Sequence, residues 1–467
     1  IEGSTDSNTN ISNVTLSSDG TVVEPTTQAT TKSNVETTTT KTETTTKKTD
    51  STTEATTSSS STSNGSGKDL TTPPSKTIAT ITSDSQTELA NAIKTMKTSG
   101  GTIYINTPKI SLSSALKLEG TTAGAIVGVQ QADGTYPVLD FSGLRDSGST
   151  SRGLTIASAA SNKLIQNIIV EKSGDNGIYI NGKNNTIEHV IARYNGDTGI
   201  QLSGETATGN VLRYCYAYRN CDVKTNGANA DGFAPKLGAS DTTFEYCYSW
   251  DNSDDGWDSF DKAGDNGAKV VYKHSACWNN GNPQVFTGEY DYNNGNALDT
   301  NLWTVEQMIA SDSSFASNYA NKKFSTANAK INGSTVAAWL TKANTAMNGN
   351  GFKFGSKDTA QNEGVTRTAD YCVAFDHKSK GFDNNNSQGC SGYISNCVSF
   401  QNNINFQLPY VFKLWTNNYS WGAKTSETAK QDVTPTIVTD TTTATNKFYA
   451  VRDKIVDAVY ANKFPDG

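Results

Sequence analysis

One pattern limits the folding of this chain more than any other. From about residue 163, a short β-branched or aromatic run, a polar turn, and a glycine followed by an apolar residue return at intervals of 22 to 32 residues. The copies read IIVEKSGDNGI (168–178), VIARYNGDTGI (190–200), CYAYRN (215–220) with DGF (231–233), and CYSWDNSDDGW (247–257). They continue as SACWNN (275–280) with NGF (350–352), CVAFDHKSKGF (372–382) and CVSFQNNINF (397–406). A unit this short cannot bury its own apolar face, so neighbouring units must stack on a shared core. Short strands, Asn and Gly at the turns and little helical periodicity predict an all-β solenoid, a parallel β-helix. Asn195, Asn220, Asn252, Asn279 and Asn402 are read at one register, as an internal ladder of side-chain amides with a structural role.

The flanks read differently. Residues 1–76 are dominated by Thr and Ser and have little apolar surface to bury, so a disordered linker or stalk is expected there. The β-helix is expected over 77–425. It opens with a helix in which Leu89, Ala92, Ile93 and Met96 share a face, Asp84 or Ser85 caps the start and Gly100 stops it. Placed before the first coil, that helix covers the open end of the stack. Residues 281–347 are an insertion near the cleft containing two short helical patterns, and 426–467 are read as a C-terminal cap or extension.

Net charge −7 and a pI near 5.2 argue against a nucleic-acid partner, while a bound cation would still permit a polyanionic one. The seven cysteines contain no C-x-x-C pair and mostly occupy apolar strand positions, so buried thiols are expected. No apolar run approaches the roughly 20 residues that span a bilayer. The opening Ile-Glu-Gly, in place of Met, leads to the expectation of a processed chain.

Alignment of the copies on Gly177, Gly199, Gly232, Gly256, Gly351 and Gly381 yields two further rows. The residues just before these glycines are Asn176, Thr198, Asp231, Asp255, Asn350 and Lys380. Those two after are Tyr179, Gln201, Ala234, Asp258, Lys353 and Asp383. Equal registers in adjacent coils lie about 4.8 Å apart, which puts Asp231 over Asp255, Asp258 beside Lys353, and Asp254 at the flank. Carboxylates packed so closely raise one another's pKa unless a cation intervenes, and an oxygen-only set points to Ca²⁺. A solvated acidic turn, or an ion that merely staples the coils, is the plainer alternative. An amine beside a divalent cation loses its proton more readily, so Lys353 is the candidate base. For Trp250, Trp257 and Trp278, sugar stacking and core packing both stay open.

The segments NADGFAxKLG, NSDDGWD and GNGFKFG, in this order, resemble the pectate lyases of polysaccharide lyase family 9 over roughly residues 77–420. The resemblance implies a right-handed parallel β-helix, secretion, and cleavage of polygalacturonate by β-elimination. It also implies Ca²⁺ on Asp231, Asp254, Asp255 and Asp258, with Lys353 as the base. A monomer is expected, tethered to further modules by the Thr/Ser-rich segment. A rhamnogalacturonan lyase, a glycoside hydrolase on the same fold and a non-catalytic glycan-binding solenoid are the alternatives.

Overall fold

In the computed structural model of the chain, each repeat closes one coil of a parallel β-helix; the structure describes residues 15–16, 22–23, 69–145, 151–262, 264–265, 267–287, 301–311, 330–355, 364–385, 390–408, 412–425, 435–439 and 441–465. One lane of strands forms a nine-stranded parallel sheet. In order it comprises Leu116–Leu118, Leu154–Ile156, Ile178–Ile180, Ile200–Ser203, Phe233–Lys236, Trp257–Asp258, Phe352–Lys353, Lys380–Asp383 and Ile404–Gln407. We call this lane the cleft sheet, because its outward face carries the acidic residues.

The other two lanes are joined within long strands such as Lys163–Glu171, Thr186–Arg193 and Val211–Tyr218. These bend at Asn167, His189 and Tyr214, whose φ values of 58°, 51° and 52° lie in the left-handed region. The same corner in later coils is Tyr246, His274 and Tyr371. A residue with a β-carbon is disfavoured at such a φ, and ring contacts offset the strain: successive rings from His189 to Tyr371 lie 5.8, 5.2, 4.8 and 5.2 Å apart, the first pair edge to face and the others stacked.

The interior changes character along the axis. Early coils of the cleft sheet point Leu154, Ile178 and Ile200 inward, whereas later ones point Phe233, Trp257, Phe352, Phe382 and Phe406. The five rings stack at 4.9, 4.5, 5.0 and 5.0 Å. All seven cysteines are free and buried.

A buried amide ladder lines the corner that leads into the cleft sheet. Asn195 Nδ2 donates to Asn220 Oδ1, Asn220 Nδ2 to Asn252 Oδ1 and Asn252 Nδ2 to Asn280 Oδ1, at 2.9 to 3.0 Å. The fourth rung is therefore Asn280. Asn279, expected in this place, is the left-handed corner residue before it (φ 49°). Two asparagines stand side by side here, and Asn280 is the inward one: Ser275 holds the Cys247 position, its hydroxyl accepting the Cys247 N–H, and Asn280 follows it by five residues as Asn252 follows Cys247. His377 takes the next rung, accepting from Asn280 N and donating its own N–H to Asn402 Oδ1.

Helix α1 (Gln86–Ser99) buries Leu89, Ala92, Ile93 and Met96 against the first coil, with the Ser85 hydroxyl capping Glu88 N and Gly100 ending it. The expected linker, 1–76, lies outside the described residues up to 68 except for two antiparallel dipeptides, Thr15–Leu16 and Val22–Val23. It ends earlier than expected: Thr71 is already docked, donating its N–H to Glu188 Oε1 and accepting from Gln166 Nε2 at its carbonyl. Inside the insertion, α2 (Trp303–Ser311) and α3 (Val336–Ala346) cover the two helical patterns. With Val223, Val285 and Phe286 they belong to the second apolar cluster of the molecule, which is continuous with the aromatic row beneath the last helix. The last helix, α4 (Thr442–Tyr460), does not cap the final coil. It lies lengthwise along a row of aromatic residues, so that Phe448 meets Phe400 and Trp421 while Tyr460 meets Tyr218 and Trp250.

Candidate active site

The cleft sheet places its functional side chains by strict alternation. Trp257 and Phe352 anchor their strands in the core, so the next residues, Asp258 and Lys353, must face outward, and the two are paired across adjacent coils. The outward row runs Thr155, Tyr179, Gln201, Ala234, Asp258, Lys353, Asp383, Gln407.

The pre-glycine row stacks as well. Asp255 N donates to Asp231 Oδ1 at 3.1 Å, and Asn350 N and Nδ2 both donate to Asp255 Oδ1 at 2.8 Å. Asp254 is knit into the surrounding loops, accepting from Asn229 N and Asn348 N at 2.9 and 3.0 Å. Asp231, Asp254 and Asp255 offer oxygens within 4.8 Å of one another. Asp258 stands outside this triplet and is held instead between two ammonium groups.

One of those is Lys353, whose Nζ lies 2.9 Å from Asp255 Oδ2 and 3.2 Å from Asp258 Oδ1. The other, Lys236, escaped the sequence reading. Its Nζ lies 2.8 Å from Asp231 Oδ2 and 2.9 Å from Asp258 Oδ2. The signal was present: Lys236 is two residues after Ala234 on the same strand, hence on the same outward face.

All four carboxylates are buried. Burial pushes Asp231 well above the usual range, partly countered by Lys236 and reinforced by Asp258, Asp254 and Asp255. Burial likewise raises Asp255 to about 7, against the pull of Lys353. Burial acts on Asp258 too, but Lys236 and Lys353 together outweigh it and its pKa falls. For Lys353, burial disfavours the charge, yet Asp255, Asp258, Asp254 and Asp231 overcome it and raise its pKa well above normal. This is the reverse of the sign expected for a lysine beside a cation: with carboxylates alone as neighbours, the amine stays charged.

The three tryptophans considered for sugar stacking are buried. Trp257 belongs to the interior stack, and Trp250 and Trp278 lie in the row beneath α4.

Residues 71–301 match the family described as Pel9A-like, right handed beta helix region. Pectate lyase L of Dickeya chrysanthemi is 35% identical over 191 residues, 41% of this chain and 30% of that protein. Pectate lyase L of Paenibacillus polymyxa (strain SC2) is 31% identical over 175 residues, 35% of this chain and 38% of that protein. The chain thus spans only about a third of the length of these curated relatives. The crystal structure of pectate lyase Pel9A superposes with a TM-score of 0.50 at 24% identity, covering 73% of this chain and 72% of that one. That likeness shows the fold. Lys353 lies beyond the matched residues, whereas Asp231, Asp254, Asp255 and Asp258 lie within them. The coils that carry these four aspartates, residues 71–301, belong to the Pel9A-like right-handed β-helix family.

Proposed function

We propose that this chain is a polysaccharide lyase that cleaves α-1,4-polygalacturonate by β-elimination, with Ca²⁺ on the aspartates and Lys353 as the base. The observation that carries the reading is the contact of the Lys353 ammonium with Asp255 and Asp258 on the outward face of the cleft sheet. The names of the curated relatives, pectate lyases, support the substrate. A polymer of this size is met outside the cell, which fits a secreted enzyme.

The donor set fits Ca²⁺. Asp231, Asp254 and Asp255 would hold it with Asp258 as the fourth ligand, all hard oxygen donors. Four carboxylates less two ammonium groups leave two negative charges, the complement of one divalent cation. When bound, the ion supplies positive charge beside a galacturonate carboxylate and so acidifies the neighbouring C5–H.

The protein's own groups do the rest. Relieved of part of the carboxylate field, Lys353 becomes neutral and takes the C5 proton. The C5–H electron pair forms the C4=C5 double bond, the C4–O bond breaks, and the departing oxygen takes a proton from water. Lys236, pinned by Asp231 and Asp258, keeps its charge and holds those two carboxylates in place. Asp254 fixes the loops on either side through Asn229 and Asn348.

The test is a panel of polygalacturonate, methyl-esterified pectin and rhamnogalacturonan, with Ca²⁺ or chelator, followed by ultraviolet absorbance. The expected result is an absorbing, unsaturated product from polygalacturonate that disappears with chelator. New reducing ends without absorbance identify a hydrolase, absorbance from rhamnogalacturonan alone changes the substrate, and binding without product identifies a glycan-binding solenoid.

A further inference from the structure

The glycine register that stacks Asp231 on Asp255 continues toward the N-terminus. Gly153 N donates to Asn176 O and Leu154 pairs with Ile178, so Arg152 holds in its own coil the place that Asp231 and Asp255 hold in theirs. Along the axis the row reads Arg152, Asn176, Thr198, Asp231, Asp255, Asn350, Lys380. Acids occupy the centre of this stretch, neutral groups flank them, and a cation closes it on each side before the row goes on to Ile404.

The end cations differ. Lys380 Nζ lies 3.0 Å from Asp383 Oδ2, and both side chains are largely covered (18% and 1% exposed). Arg152 is 3.9 Å from its nearest carboxylate oxygen, Asp175 Oδ1, and its side chain is 36% exposed. Its Nε is buried and makes no hydrogen bond among the described residues, so the exposed part of the group is the outer edge of the guanidinium. The guanidinium instead lies over Tyr179, with Cζ 3.5 Å from the ring centroid. Tyr179 is the outward residue of the next coil, in the row that holds Asp258 and Lys353. A guanidinium seated on a ring has a fixed plane and keeps its edge donors free, which is the geometry that receives a carboxylate with two hydrogen bonds.

We propose that Arg152, seated on Tyr179, is a carboxylate-binding subsite for one uronate unit of an acidic polysaccharide, three coils before Asp231. This inference rests on the reading of the acidic cluster as the site that acts on such a polymer. Three coils correspond to about 14 Å along the axis, a distance that only a chain of several sugars bridges. Asn176 and Gln201, joined at 3.2 Å, present a neutral, hydrogen-bonding floor between the two points. The longer arm of the substrate therefore lies over the N-terminal coils.

Galacturonate oligomers of graded length, with Ca²⁺, test this on the full chain as wild type, Arg152→Ala and Arg152→Lys. Arg152→Ala should raise KM for polygalacturonate and long oligomers about tenfold, the equivalent of one charged hydrogen bond, with kcat unchanged. The shortest cleaved oligomer should show no change, and Arg152→Lys should fall between. Equal KM values at every length, or the same loss at every length, would overturn the subsite. Calorimetric titration of polygalacturonate into wild type and Arg152→Ala separates this inference from the lyase reading. If wild type cleaves no uronate polymer, a tenfold weaker titration of Arg152→Ala still supports the subsite, and an unchanged one overturns it.

Discussion

At the scale of residues, the cluster is held together by charges of both signs. Asp258 touches Lys236 and Lys353, Asp231 touches Lys236, and Asp255 touches Lys353, so each lysine bridges two carboxylates. Removing one partner of a buried ion pair typically costs about 3–5 kcal/mol, because the other charge is left without compensation. Lys236→Met should therefore lower the melting temperature in chelator, and added Ca²⁺ should restore more of it than it adds to wild type; equal Ca²⁺ shifts in both proteins would show that Lys236 is not a counter-ion of this cluster. Lys353→Ala should abolish elimination while calorimetry finds Ca²⁺ still bound. Turnover within tenfold of wild type would remove Lys353 as the base. The activity of wild type should rise with pH, because Asp255 and Asp258 hold the Lys353 proton; raising the Ca²⁺ concentration should move that limb of the rate profile to lower pH. Asp231, Asp255, Asp258 and Lys353 were legible in the sequence because their distance from a glycine encodes their height on the stack. Lys236 is hidden because the glycine register picks out one outward position per coil, and its strand presents two.

At the scale of elements, the amide ladder shows what a repeat encodes and what it hides. Its spacing from the preceding strand is constant, with Asn220, Asn252 and Asn280 each five residues after Cys215, Cys247 and Ser275, but at the fourth rung two adjacent asparagines, Asn279 and Asn280, disguise which one turns inward. Its His was hidden altogether. His377 is fully buried in the ladder: Nδ1 accepts from Asn280 N, and Nε2 lies 3.2 Å from Cys277 Sγ. Burial lowers its pKa to about 3. The neutral ring is thus the folded form, while an unfolded chain protonates this histidine below about pH 6.5. Stability should consequently fall as pH drops from about 6.5 toward 3, by up to about 1.4 kcal/mol per pH unit from this residue. His377→Asn restores the residue type of the other rungs and removes the titration. Urea unfolding from pH 7 to 4 should show a shallower loss for the variant, whatever its stability at pH 7. Parallel curves would mean that His377 is not the residue that loses stability in acid.

At the scale of the whole molecule, a solenoid needs its flanks covered as well as its ends, and α4 does this for one lane. Tyr218, Trp250, Trp278, Phe375, Phe400 and Trp421 come from six different coils and stack at 4.7, 5.0, 5.6, 4.7 and 4.6 Å. Six coils span about 24 Å and a 19-residue helix about 28 Å, so α4 just covers the row. Beyond it, Phe464 stacks on His189 at 4.4 Å and Tyr136 N donates to Asn462 O, tying the end of the chain to an early coil. The helical periodicity was readable, but its berth was not, since the berth exists only once six distant segments have stacked. Coils in such a fold contact only their neighbours, so losing the helix should not unravel the stack. Phe448, wedged against Phe400 and Trp421, is the residue to remove; replacing a buried Phe by Ala costs about 3–5 kcal/mol. Phe448→Ala should melt in two steps. In the first, α4 leaves, and fluorescence shifts to the red because Trp250, Trp278 and Trp421, three of the seven tryptophans, become wet. The β signal in circular dichroism and the cleavage of substrate should survive that step, because the cleft sheet is a separate lane. A single transition in which fluorescence, β signal and activity disappear together would show instead that α4 holds the coils in register as well as covering them.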